Sequence, residues 1–323
     1  MADAHVSNAL ATPDWKPLNY TPTPMRDALK TEFVEGTDNQ FSAFLPRNWC
    51  VPGVRGPVGF GGYCAALILA SSQRYFATKY PTKNQPDPIH AHIQYLNELP
   101  GGPITIKIHD LKLGSKQSVI QVELLNTDSS SISVLSLITM GNLSGKGHSI
   151  ETPLFEVPDI NECQRWVDGL FFHLQPTSAQ YRAWTPKGGP NPLWSPAVGR
   201  NKRDMWVKID DEEEEMSLLH LGVLVDNVPS LPLNYEKGGL KGEFKWVFPT
   251  ICLNIDIRRD PAGEEFLLQR VVMNECANGR FDMEVKIIDS KGRLVATSTH
   301  ANLMLARGGG QRQKKEKSSS AKL

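Results

Sequence analysis

Two stretches decide the fold: Pro88-Ile89-His90-Ala91-His92-Ile93-Gln94-Tyr95-Leu96 and Pro249-Thr250-Ile251-Cys252-Leu253-Asn254-Ile255-Asp256-Ile257. Each starts at a proline and meets another 12 residues later, at Pro100-Gly101-Gly102 in one and Pro261-Ala262-Gly263 in the other. The layouts are offset by 161 residues (249 − 88). At that offset polar His90 falls opposite apolar Ile251, which predicts a strand buried on both sides.

Strand-like runs broken by turn residues follow each stretch. In the first half they are Ile104 to Ile108, a turn at Gly114, and Ser118 through Leu125. In the second they are Phe266 to Met273, a turn at Asn278-Gly279, Phe281 to Ile288, a turn at Lys291-Gly292, and Leu294 to Leu303. Period-two alternation, β-branched residues and turn dipeptides mark these as antiparallel strands. One helix precedes each long strand. Gly61-Gly62 opens Tyr63 through Tyr80, which stops near Pro81, while Met216 through Val225 reads as a shorter helix or a buried strand. The expected fold class is α+β, a helix-on-antiparallel-sheet unit given twice.

The length of 323 residues suits two such units. The expected boundaries are 20–145 and 204–307 for the repeats, 146–203 for a connector, and 308–323 for a polar, basic tail. The connector carries Pro153, Pro158, Pro176, Pro186, Pro190, Pro192 and Pro196 with Trp166, Trp184 and Trp194. Prolines this dense prevent a long helix or a central strand. Six consecutive carboxylates, Asp210 to Glu215, read as a solvated surface and lack the spacing of a calcium loop.

Charge excludes some partners. The 35 basic and 35 acidic residues cancel, so no global pull toward nucleic acid or a membrane surface is expected. No apolar run approaches the roughly 20 residues of a membrane helix, and the start of the chain lacks the pattern of a secretory signal. The cysteines Cys50, Cys64, Cys163, Cys252 and Cys276 are scattered and odd in number, against a disulfide framework or structural zinc. His90 and His92 share a strand face, but no third ligand has suitable spacing, so no metal is expected. No cofactor is expected either. A G-x-S-x-G elbow and a P-loop are both absent.

The segments His92-Ile93-Gln94-Tyr95-Leu96, Pro103-Ile104 and Leu111-Lys112-Leu113-Gly114-Ser115 resemble the first hotdog of the acyl-CoA thioesterase II family. Phe60-Gly61-Gly62 resembles its helix-opening glycine pair, and Asp289 through Ser298 its closing hairpin. The resemblance runs from about residue 40 to 306, excluding the connector, and implies a double hotdog acting on an acyl-CoA or related acyl or polyketide thioester. It places the family's catalytic aspartate at Asp226 and its hydroxyl residue at Thr250. His300 stands where the family has glutamine.

Hydrolysis by water needs an acceptor for the water's proton, donors that orient it, and stabilisation of the oxyanion. Asp226 could accept the proton, Thr250 could fix the water, and His300 could imitate part of an amide while remaining ionisable. Each residue also has a structural reading: Asp226 as a turn or helix cap, Thr250 as an ordinary strand residue, His300 on a solvent face shared with Ser298 and Asn302. Gly61 and Gly62 could present backbone N–H groups to a thioester carbonyl, or form a tight turn. Cys64 and Cys276 are candidate nucleophiles with nothing nearby in sequence to lower a thiol pKa. The same Asp–His pair would suit a dehydratase, isomerase or cyclase, and a third reading is a non-catalytic acyl-binding module.

The terminal Ala321-Lys322-Leu323 is a one-residue variant of the peroxisomal Ser-Lys-Leu address. It predicts recognition by the import receptor and a peroxisomal location, otherwise a cytoplasmic one. Pairing into a homo-oligomer through sheet edges is a further expectation.

Overall fold

The computed structural model describes residues 22–53, 56–127, 131–166, 177, 180–187, 199–235 and 245–306. The tail and its terminal triplet lie outside these residues. Among the described residues one large antiparallel sheet spans both halves, beside two small two-stranded sheets. From one edge to the centre its strands are Thr31–Phe33, Gln40–Leu45, Gly102–Leu113, Ser118–Asn126, Ile132–Gly141 and Asp87–Tyr95. From the centre to the far edge they are Thr250–Ile257, Leu294–Leu303, Arg280–Ile288, Leu267–Val272, Lys202–Ile209, Tyr181–Pro186 and Cys163–Trp166. The halves meet where Asp87–Tyr95 pairs with Thr250–Ile257, with Ala91 opposite Ile255 and Ile93 opposite Leu253. Joining the two central strands removes an open edge from each half.

The repeat is in register at 162 (253 − 91), with Ala91 and Ile93 answering Leu253 and Ile255 on the buried face. The 161 counted between prolines is therefore corrected by one. A slip of one residue turns every side chain over, which is why His90 had fallen against an apolar position. Both central strands also bulge at the corresponding residue. Ile89 sits unpaired between the pairs Pro88–Met140 and His90–Thr139, and Ile251 between Thr250–Asn302 and Cys252–Ala301. Thr250 is thus the counterpart of Pro88, and His300 of Ile138.

The helix Gly61–Lys79 is enclosed, with every residue from Gly62 to Leu69 buried. Its apolar side chains face sheet and helix alike, so no narrow apolar stripe was needed in its sequence. The second helix, Leu218–Leu224, starts with a capping box in which Ser217 and His220 exchange bonds. It settles the choice between helix and strand for this segment. The helices approach closely: a Cβ on Gly222 would stand 2.6 Å from the Ala66 backbone nitrogen.

Two expectations are refined. Cys163–Trp166 and Tyr181–Pro186, inside the Pro-rich stretch, are strands that extend the second half of the sheet. Both are short, and Cys163–Trp166 forms the edge of the sheet, with Tyr181–Pro186 paired on both sides. The acidic run is only partly a solvated surface. Arg26 reaches Asp211 at 2.8 Å and Glu213 at 3.1 Å, and the Arg26 backbone N–H donates to Glu214 at 2.9 Å. The hairpin signal held in detail: Asn278 and Gly279 adopt φ of 53° and 70°, the paired positive values of a type I′ turn.

Candidate active site

The short helix ends where Asp226 and Asn227 both donate backbone N–H groups to the Val223 carbonyl. This turn delivers the Asp226 side chain to the start of the long helix. There the Gly62 backbone N–H is directed at its carboxylate. The Gly61 carbonyl is taken by the Tyr95 hydroxyl at 2.8 Å. A Cβ on Gly61 would stand 2.7 Å from Asp226 Oδ2, so a residue without a side chain is required for this approach. Gly62 therefore serves the aspartate, where an open site for a thioester carbonyl was expected.

His300 comes from the strand Leu294–Leu303 and pairs with Leu253, so it shares the helix-facing side with the core. The solvent-face alternative is excluded: its side chain has 0% exposure and that of Asp226 has 9%. His300 Nδ1 lies 3.8 Å from Asp226 Oδ1. That distance is beyond a direct hydrogen bond and is one at which a bridging water is to be considered. Nδ1 has no hydrogen-bond partner among the described residues, and Nε2 lies 2.8 Å from Ser298 Oγ.

Burial governs both protonation states. It pushes Asp226 up to about 6, against the Gly62 N–H, which favours the charged form. It pushes His300 down to about 4, against a backbone contact with Val225. At neutral pH the pair is a carboxylate beside a neutral imidazole. Asp226 is the stronger base.

Thr250 stands opposite Asn302, one cross-strand pair further along the face that carries His300. The structure thus brings Asp226 and His300 into proximity and places Thr250 on their shared face. It shows no hydrogen bond from Thr250 to either. Sequence reasoning missed Ser298, Tyr95 and Asn302. The signal for two of them was the alternation Ser298-Thr299-His300-Ala301-Asn302, read as a polar face when it points inward. The counterparts of Thr250, His300 and Asn302 in the first half are Pro88, Ile138 and Met140, all apolar. Polar chemistry is concentrated in the second repeat.

Other candidates are placed elsewhere. A cleft of about 460 Å³ is lined by Arg26, Leu29, Arg74, Glu214, Leu219 and His220, and none of Asp226, Thr250 or His300 lines it. Burial pushes the Cys64 thiol strongly up, against a nucleophilic thiolate. His92 Nδ1 lies 2.6 Å from Asn254 Oδ1 across the joint between halves. Among the described residues no cluster of three or more His, Cys, Asp or Glu could hold a metal, and no helix is long and apolar enough to cross a membrane.

The chain matches the acyl-CoA thioesterase N-terminal domain family over residues 46–141 and the C-terminal domain family over residues 156–304. It is 26% identical to the thioesterase-like protein TwmA of Talaromyces wortmannii, covering 81% of this chain and 87% of that one. A hot-dog-fold protein from Alicyclobacillus acidocaldarius superposes with a TM-score of 0.68 at 16% identity, covering 87% of this chain and 98% of the other. The acyl-CoA thioesterase II of Mycobacterium marinum superposes with a TM-score of 0.63 at 15% identity, covering 88% and 99%.

Proposed function

This chain belongs to the acyl-CoA thioesterase family of double-hotdog, thioesterase-like hydrolases, and from that premise we propose that it cleaves an acyl-CoA or related acyl or polyketide thioester by direct attack of water. The observation that carries the mechanism is the 3.8 Å approach of Asp226 to His300, both buried. Ionised Asp226 accepts a proton from a water between them as its oxygen bonds to the thioester carbonyl carbon. The C–S bond then breaks, the proton held by Asp226 passes to the thiolate, and free acid and thiol leave with the carboxylate restored. His300 Nδ1–H orients the water, and the Thr250 hydroxyl on the same face is its further donor or acceptor. The Gly62 N–H at the positive end of the long helix keeps the carboxylate charged despite burial.

The test is thiol release from short, medium and long acyl-CoAs. Asp226→Ala and Thr250→Ala each abolish release with the fold intact, whereas His300→Gln, which restores an amide donor, retains it. Absence of thiol release at every chain length and from an acyl-pantetheine sinks the hydrolase mechanism.

A second reading has one observation in its favour. An ionisable imidazole replaces an amide beside a carboxylate, a pair suited to moving a proton at carbon next to a carbonyl. A product of altered mass formed without free thiol identifies that chemistry. The terminal Ala321-Lys322-Leu323 is proposed as a peroxisomal address, to be tested by placing it on a fluorescent reporter.

A further inference from the structure

The serine two residues before His300 occurs in both repeats. Ser136 and Ser298 are counterparts at the offset of 162 (298 − 136), and both are buried. Their hydroxyls differ in partner. Ser136 Oγ donates to the Val122 carbonyl on the neighbouring strand at 3.0 Å. Ser298 Oγ instead lies 2.8 Å from His300 Nε2. In the first half the residue at the place of His300 is Ile138, which has no nitrogen to offer.

The other ring nitrogen of His300, Nδ1, lies 3.8 Å from the Asp226 carboxylate. A neutral imidazole carries one proton. On Nδ1 that proton faces the carboxylate. On Nε2 it would leave the Nδ1 lone pair against a negative charge in a buried site, where electrostatic repulsion is weakly screened.

We propose that Ser298 is a positioning residue, which donates its O–H to His300 Nε2 and so holds the imidazole in the tautomer whose Nδ1–H points toward Asp226. His300 then works as a fixed donor, as a side-chain amide would. The inference deepens the thioesterase reading and rests on it only for the water that Nδ1–H orients. The same three groups, in the same order, would also fit a covalent triad with Ser298 as nucleophile. The neutral imidazole is a weak base here, and Ser298 has a structural counterpart in Ser136, so the positioning role is the better supported.

The experiment reads the tautomer directly. Protein labelled with ¹⁵N at histidine is compared as wild type, Ser298→Ala and Ser298→Thr, with His300 signals identified by their loss in His300→Gln. Wild type and Ser298→Thr show a protonated Nδ1 and a bare Nε2, while Ser298→Ala shifts toward a mixture. On the acyl-CoA that wild type cleaves fastest, Ser298→Ala lowers kcat roughly 10-fold or more, since a misplaced tautomer removes the donor. In the His300→Gln background the same change adds no loss, because an amide has no tautomer to set. An unchanged tautomer in Ser298→Ala, equal losses in both backgrounds, or an acyl group found on Ser298 after acid quench overturns the proposal. Should wild type release no thiol while the tautomer responds as stated, the hydrolase reading fails and the positioning role stands.

Discussion

Gly61 lies so close to Asp226 that a methyl group at residue 61 would stand 2.7 Å from the carboxylate Oδ2. The first turn of one repeat's helix thus sets the position of the acidic group that follows the other repeat's helix.

Gly61→Ala is therefore expected to reduce activity more than stability. Alanine is worth up to ~1 kcal/mol more than glycine in a helix, which offsets part of the steric cost. The displaced carboxylate has no such compensation. Thiol release and thermal melting measured on the same preparation check this, and a large fall in Tm with kcat per folded molecule unchanged would contradict it.

Gly222→Ala should do the reverse. Its Cβ would meet the Ala66 backbone nitrogen and Cα at 2.6 and 2.8 Å, and helix backbone cannot rotate aside as a side chain can. The expected cost is roughly 1–3 kcal/mol, read as a lower Tm or denaturant midpoint.

The pH dependence of stability follows from two opposed shifts. Asp226 holds its proton up to about 6 in the folded chain against an ordinary 3.8, so its contribution is lost as pH rises through that window. His300 stays neutral down to about 4 against an ordinary 6.5, so its contribution is lost as pH falls. Between about pH 4 and 6 the folded pair holds one proton on Asp226 and the unfolded pair one on His300. The two slopes cancel. His300→Gln should expose a stability that falls with rising pH, and Asp226→Asn one that rises, each on the order of 3 kcal/mol across the window. Denaturant titrations at pH 4 and 7 decide it. Parallel curves for both variants and wild type would refute the opposition.

Activity should rise with pH through about 6, where Asp226 becomes the carboxylate that accepts the water's proton. Asp226→Asn removes this base, for an expected loss of 10²–10⁴-fold. A pH–rate profile flat between 5 and 8 would remove Asp226 from that role.

The bond between His92 and Asn254 is structural. His92→Ala should cost about 0.5–1.5 kcal/mol and leave catalysis unchanged, since the pair ties the two halves at 2.6 Å on the face away from the helices. Added zinc should not alter Tm. A zinc-dependent rise abolished in His92→Ala would revive the metal reading.

Much of this protein was determined locally. Alternation along Leu294–Leu303, the Asn278-Gly279 turn and the proline after the long helix are governed by neighbours a few residues apart, so strands, turns and the duplication were legible in the sequence. The repeat register was misread by one because Pro249 was matched to Pro88, whereas the counterpart of Pro88 is Thr250, and two prolines one residue out of step look equivalent along the chain; the bulges at Ile89 and Ile251 fall at corresponding positions and leave the offset at 162 (251 − 89). What only the tertiary structure decided is which way the alternation faces. Ser298, His300 and Asn302 form the same periodic pattern whether they look to solvent or to the core. Pairing of His300 with Leu253 under the two helices turns them inward, and burial then carries Asp226 up and His300 down past one another, which makes the carboxylate the stronger base. Proximity across 74 residues of chain (300 − 226) is a property of packing, which no local signal encodes.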